Sequence, residues 1–114
     1  MLTASQHIDA AARANQDALN TYDPQKAYEF AARAIEHAKA AGQLGGDPTR
    51  PQAHEYVERT AHQNAFYAAR RAYDSAKLYR NRKDEAKSQS ELMKMHRAAF
   101  IALGGSPKNV SRRR

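Results

Sequence analysis

Cationic and aromatic side chains alternate along the longest predicted helix. The positions are Arg59, Phe66, Arg70, Tyr73, Lys77 and Arg80. They advance in steps of 7, 4, 3, 4 and 3 residues, which places them on one helix face. Guanidinium and ammonium groups contact phosphates, while aromatic rings stack on exposed bases. The pattern therefore predicts a nucleic-acid-binding surface.

Further positive charge follows this face along the chain. Residues 70–114 contain 13 Lys and Arg against 4 Asp and Glu, whereas residues 1–69 contain 6 against 8. The additional cations assigned to the surface are Arg71, Arg82, Lys83, Arg112, Arg113 and Arg114. The net charge of +7 thus comes from the C-terminal part of the chain, and binding to a polyanion should weaken steeply with salt. No helix-turn-helix spacing is present, so base-specific recognition is not predicted.

The same residues have a purely structural interpretation. A central helix of a bundle contacts neighbours on two sides, so Phe66 and Tyr73 can form a second core strip, with Arg59 and Arg70 laying their aliphatic stems along it. The terminal arginines can equally be a solvated tail. Both interpretations stay open at this level.

A metal or catalytic centre is not predicted. His54, Glu58 and His62 are spaced by four residues and share a helix face, but the motif lacks the second histidine of a zinc-protease helix. His96 lies on an apolar face, where a hydrogen-bonded core histidine is expected. The sequence has no cysteine and no recognisable nucleophile with a His and acid partner. We therefore predict a protein that is not an enzyme and has no cofactor.

Alanine dominates the apolar residues. There are 24 alanines, but Leu, Ile, Val and Phe together number only 14. Helical spacing argues for a folded chain, although such a core buries little area per residue. A partner or a second copy could supply more buried surface, and the face containing Ala61, Ala65, Ala68 and Ala72 predicts a homodimer in which two helices approach closely.

The expected architecture is all-α: a three- to four-helix bundle that can be elongated, with a long central helix and a short basic C-terminal tail. The predicted helices are residues 4–20, capped by Thr3 or Ser5, then residues 24–41, about 51–80, and a last helix ending at Gly104. A break is expected near residues 81–84. Residues 1–105 would form a single helical domain and residues 106–114 the tail.

Periodicity also predicts which side chains are buried. In the first helix these are Ala4, Ile8, Ala11, Ala12, Asn15 and Leu19; in the second, Ala27, Phe30, Ala31, Ala34, Ile35, Ala38 and Ala41. In the third they are Val57, Ala61, Ala65, Ala68, Ala72, Ala76 and Tyr79; in the last, Leu92, Met95, His96, Ala99, Phe100 and Leu103.

The working hypothesis is a non-enzymatic helical protein that engages nucleic acid, mainly its phosphates, through the basic C-terminal half. The alternative is a protein–protein adaptor or inhibitor, such as a small accessory factor of a phage or mobile element, that binds an acidic partner or a partner helix. No apolar run approaches the roughly 20 residues needed to span a bilayer, so we expect no membrane and a cytoplasmic location.

Overall fold

Four α-helices make up most of the structure, a computed structural model that describes residues 1–111. They are α1 (Ala4–Leu19), α2 (Pro24–Gln43), α3 (Ala53–Ala76) and α4 (Lys83–Ala102), with 3₁₀ turns at Arg80–Arg82 and Pro107–Val110. Helix, with the 3₁₀ turns included, accounts for 78% of the described residues, which confirms the all-α bundle. The molecule measures 50 × 25 × 20 Å, so the bundle is elongated. Within residues 1–111, no helix is both long and apolar enough to cross a membrane.

Local capping signals set the start of the first two helices. Thr3 accepts a hydrogen bond from the Gln6 backbone N–H at 3.1 Å, and the Gln6 side chain accepts one from the Thr3 N–H at 2.9 Å. This capping box pairs two N–H groups that a helix start leaves free. Asp23 caps α2 by accepting from the Gln25 N–H at 2.9 Å, and Pro24 occupies the first turn. Thr3 is thus the cap of α1, and the predicted Asp23–Pro24 start of α2 is confirmed.

Helices α1, α2 and α3 pack against one another through alanines. Ala34, Ala38 and Ala61 are fully buried in this bundle, around the larger Ile8 and Val57. A methyl side chain keeps the helix surface low, which lets the axes approach closely. The alanine face of α3 is therefore covered by helices of its own chain, and the structure contradicts a homodimer on that face.

The buried face of α1 differs from the predicted one. Ala14 and Ala18 are buried, whereas Ala12 is exposed and Leu19 is 66% exposed. The reason is that α1 contacts both α2 and α3, so its apolar face is turned toward the cleft between them. Leu19 is the last residue of the helix and extends beyond these contacts.

Helix α3 ends four residues earlier than predicted. Its last residue is Ala76, and the chain then turns through Lys77 to Tyr79 before the 3₁₀ turn that leads into α4. Tyr79 consequently leaves the alanine face and is 54% exposed. The break is real but lies nearer residue 77 than residue 81, and residues 83–90 are helical.

A second core cluster lies between α3 and α4 and uses larger side chains. Phe66, Met93, Phe100 and Val110 are each at most 3% exposed. On α4, Met93 occupies the buried position that was predicted for Met95, which is 53% exposed. Because α4 packs on α3 and makes little contact with α2, its buried face is narrow.

The chain reverses after α4 at two glycines. Gly104 has φ of +92°, and the Gly105 N–H donates to the Phe100 carbonyl at 2.9 Å, which ends the helix in a left-handed turn. A side chain at Gly105 would meet the Phe100 ring at 2.2 Å. The segment 106–111, which we assigned to the tail, folds back so that Val110 is fully buried. The predicted arginines at 112–114 lie outside the described residues.

Candidate functional site

A positively charged groove lies where α3 turns into α4. Its volume is about 520 Å³, and it is referred to below as the basic groove. The residues that line it are Tyr73, Ala76, Lys77, Leu78, Tyr79, Arg80, Lys83, Ala86, Lys87, Ser90, Glu91 and Lys94. Five of them are cationic, and among the described residues Glu91 is the only acidic one in the lining. The groove therefore has a net positive charge that a polyanion could neutralise.

Two structural elements supply the cations. Lys77 and Arg80 come from the turn that follows α3, whereas Lys83, Lys87 and Lys94 are spaced by 4 and 7 residues and share a face of α4. All five side chains are exposed. Within the part of the chain that the structure describes, none of the five forms a salt bridge. Their charge is thus available to a ligand.

Aromatic side chains accompany the cations. The Lys77 ammonium lies 5.4 Å from the centre of the Tyr73 ring, and the Arg82 guanidinium lies 5.4 Å from the centre of the Tyr79 ring. Arg82 is held by Glu85 through two hydrogen bonds of 2.6 and 2.7 Å. Hydrogen bonding to Glu85 raises the pKa of Arg82, and the same contact lowers the pKa of Glu85. Arg82 therefore orients the ring, and its charge is already paired.

The structure brings only part of the predicted surface together. Tyr73, Lys77, Arg80 and Lys83 line the basic groove. Phe66 does not, because it is 0% exposed and lies in the core cluster beneath α4. The predicted stacking role of Phe66 is wrong, and the structural interpretation of that ring is correct.

Three predicted arginines are engaged within the protein. Arg59 donates to the Leu103 carbonyl at 3.0 Å, and Arg70 donates to the Ser111 carbonyl at 3.3 Å. Arg71 donates to the Tyr22 carbonyl. These contacts place the guanidinium groups at the ends of other elements, where they satisfy backbone acceptors. The prediction that Arg59, Arg70 and Arg71 belong to one continuous surface with the groove is not supported by this geometry.

The predicted site residues include four of the twelve that line the groove and omit the other eight. Four of the omitted residues have exposed apolar, aromatic or cationic side chains that a ligand could contact: Leu78, Tyr79, Lys87 and Lys94. The helical spacing places Tyr79 on the buried face of α3 only if that helix continues to residue 80, and it ends at Ala76. Once α4 is known to begin at Lys83, the spacing of the three lysines on one helix face identifies them. These residues can be identified from the sequence only if the end of α3 near residue 77 is recognised. Residues 77–82 contain no Gly or Pro that would mark this end.

A second cluster of polar groups is buried away from the groove. Nδ1 of His62 and Nδ1 of His96 are 2.9 Å apart, and Nε2 of His96 is 2.6 Å from the Tyr28 hydroxyl. Nε2 of His62 lies 3.6 Å from Glu58 Oε2. The chain of contacts links α2, α3 and α4, and both histidines are at most 6% exposed. His96 is thus the hydrogen-bonded core histidine that the sequence predicted.

Tyr28 and Glu58, at the two ends of this series of contacts, determine which ring nitrogen of each histidine carries the proton. The Glu58 carboxylate only accepts hydrogen bonds, so its position 3.6 Å from Nε2 of His62 favours a proton on that nitrogen. In the matching tautomer of His96, Nε2 accepts from the Tyr28 hydroxyl, which burial keeps protonated by raising the pKa of Tyr28. His96 then carries its proton on Nδ1 and donates to Nδ1 of His62. His62 is left with a proton on Nε2, which faces the Glu58 carboxylate. Both histidines are neutral in this arrangement.

Burial also disfavours the charged form of these histidines. Desolvation lowers the pKa of His62 from 6.5 to about 4, with a smaller effect of the Lys39 charge. Desolvation, together with His62 and Lys39, lowers the pKa of His96 to about 4. In residues 1–111 no three His, Asp or Glu side chains form a metal-binding group, and His54, Glu58 and His62 do not converge on one point. The cluster is therefore a neutral polar connection between helices.

Comparison with protein-family models, with curated proteins and with solved structures finds no match for this chain.

Proposed function

We propose that this protein is a non-enzymatic nucleic-acid-binding protein of the cytoplasm that holds the phosphate backbone in the basic groove. The observation that supports this function is the set of five exposed cations around one concavity, without a salt bridge among the described residues. Such a groove gains energy from neutralising phosphates and releasing their counterions. Other cations of the C-terminal part, such as Arg70 and Arg71, have internal acceptors and contribute less.

The shape of the groove also favours phosphate contacts. Lys77 and Arg80 lie on the turn, and three lysines lie on α4. A chain of phosphates lying along the groove could therefore be contacted from both elements. The two buried histidines lie outside this groove.

Salt-dependent binding tests the proposal. Fluorescence anisotropy with labelled duplex and single-stranded oligonucleotides at several salt concentrations gives the dependence of log K on log salt. We expect a linear decrease whose slope falls by about one for each lysine removed that contacts a phosphate. The variant Lys83→Gln/Lys87→Gln removes two groove cations while keeping good helix formers.

A charge-matched control separates groove binding from general attraction. Arg13→Gln/Lys26→Gln removes the same charge from exposed positions on α1 and α2. We expect the control to keep the affinity and the salt slope of the original protein. Equal losses in both variants, or no salt-dependent binding of any oligonucleotide, would rule out the groove as a nucleic-acid site.

An acidic protein partner is the second candidate, as expected for an adaptor or inhibitor of a phage or mobile element. Leu78 and Tyr79, at the edge of the groove, are 78% and 54% exposed. Exposed apolar and aromatic groups beside cations are also typical of protein interfaces. In that case the Lys83→Gln/Lys87→Gln variant would lose a protein complex, and oligonucleotides would not compete with the partner.

A further inference from the structure

We infer that the ligand of the basic groove is a single-stranded nucleic acid, one base of which stacks on Tyr79. This inference rests on the proposed function and adds the class of ligand. It is carried by the size of the groove and by the exposure and support of the Tyr79 ring. The sequence pattern alone predicts stacking on Phe66 and Tyr73 instead.

The size of the groove favours a flexible strand. At about 520 Å³ it falls in the range of pockets that hold small molecules, so it can accept a base with its sugar and phosphate. In a duplex the bases are paired and stacked inside, and only the phosphates and the groove edges are offered to a protein. A single strand can turn a base into the concavity without the cost of unpairing it.

Tyr79 is presented as a stacking platform. Its side chain is 54% exposed although it belongs to the lining of the groove. The Arg82 guanidinium lies over the ring at 5.4 Å and is itself fixed by two hydrogen bonds to Glu85. A ring that is supported in this way loses little side-chain freedom when a base binds to it. Stacking on such a ring does not depend on the identity of the base.

The cations are distributed around this ring so that one strand can use both contacts. Arg80 follows Tyr79 directly, Lys83 begins α4, and Lys87 lies one helical turn further. Lys77 comes two residues before Tyr79 and lines the same groove. Phosphates on either side of a base that is stacked on Tyr79 would therefore find a positive side chain.

Binding of four labelled ligands of equal length tests the inference: oligo(dT), oligo(U), a DNA duplex and an abasic DNA strand. The abasic strand keeps the phosphates but has no base to stack. We expect either oligo(dT) or oligo(U) to bind about tenfold more tightly than the abasic strand, as one stacked base provides. The tighter of the two is the strand that the groove prefers. The duplex should bind no better than the abasic strand.

Two tyrosine variants and a matched control locate the stacking. Tyr79→Ala should weaken binding of the single strand about tenfold and leave the abasic strand unchanged, and Tyr79→Phe should keep the original affinity. Tyr56→Ala is the control, since Tyr56 is 60% exposed and has the Arg59 guanidinium 5.5 Å from its ring centre, but lies outside the groove.

The failure of this inference differs from the failure of the proposed function. If the single strand, the abasic strand and the duplex all bind equally tightly and weaken with salt, and Tyr79→Ala changes nothing, the groove binds phosphates and the stacking inference is wrong. If no ligand binds in a salt-dependent way, the proposed function is wrong as well.

Discussion

The two sides of α3 are packed in opposite ways. On one side, α1 and α2 approach through alanines such as Ala38 and Ala61, each 0% exposed. On the other side, α4 packs through the large side chains of Phe66, Met93 and Phe100. The first region depends on small side chains that allow close approach, whereas the second depends on a few large ones that fill space.

The location of the basic groove follows from this difference. The alanine-packed region is a bundle of three helices in mutual contact, with little room between them. Helix α4 has α3 as its main partner, so one side of α4 and the turn before it remain open. The cations of the C-terminal half stand on that open side. The closely packed region thus supports the fold, and the sparsely covered region presents the candidate site.

Phe66→Ala should have the largest effect on stability, because it removes a ring from the core cluster between α3 and α4. The ring is 0% exposed and packs with Met93, Phe100 and Val110. Its removal should lower the free energy of unfolding by about 4 kcal/mol, the cost of the lost burial plus the cavity. Urea unfolding followed by circular dichroism measures the change. Phe30→Ala, at a half-buried ring of the alanine-packed region, should cost clearly less. Equal losses would contradict the proposed contrast.

Lowering the pH should reduce the free energy of unfolding, because the buried histidines His62 and His96 connect α3 to α4 in their neutral form. The pKa of each histidine is lowered from 6.5 to about 4 by burial. The unfolded chain therefore takes up these protons near pH 6.5, whereas the folded chain resists until about pH 4. Stability from this pair is complete above pH 6.5 and is lost as the pH falls toward 4, by about 3 kcal/mol for the coupled pair.

Urea unfolding at several pH values between 7 and 4 measures that loss, and NMR titration of the histidine ring protons gives the pKa values directly. His96→Gln keeps a polar side chain but removes one titrating group, so the free energy of unfolding should vary less with pH in this window. Midpoints near 6.5 for both His62 and His96 in the folded protein would show that the pair is not buried as described.

Much of the fold could be predicted from local signals. Thr3 with Gln6, Asp23 with Pro24, and the glycines at 104 and 105 fix the helix ends through hydrogen bonds within a few residues. The alanine spacing of α2 correctly gave its buried face. Such features depend on one helix at a time, and this is why the sequence alone was sufficient for them.

The candidate site was predicted only in part because it depends on contacts between elements. Whether Phe66 is exposed is decided by α4, which lies over it, and whether Arg70 is free is decided by the Ser111 carbonyl. The end of α3 at Ala76 is not marked by Gly or Pro, and the groove forms at that end. Charge asymmetry directs attention to the C-terminal half but cannot select which of its cations remain exposed.

The alanine-packed region should react to added rather than removed volume. Ala61→Leu introduces three carbon atoms at a position that is 0% exposed between closely packed helices, and it should lower the free energy of unfolding by about 2 kcal/mol. The same change at the exposed Ala12 of α1 should alter stability by less than about 0.5 kcal/mol. Urea unfolding of both variants gives the comparison. If Ala61→Leu stabilises the protein, the helices of this region do not approach closely, and the division of α3 into two kinds of packing has no basis.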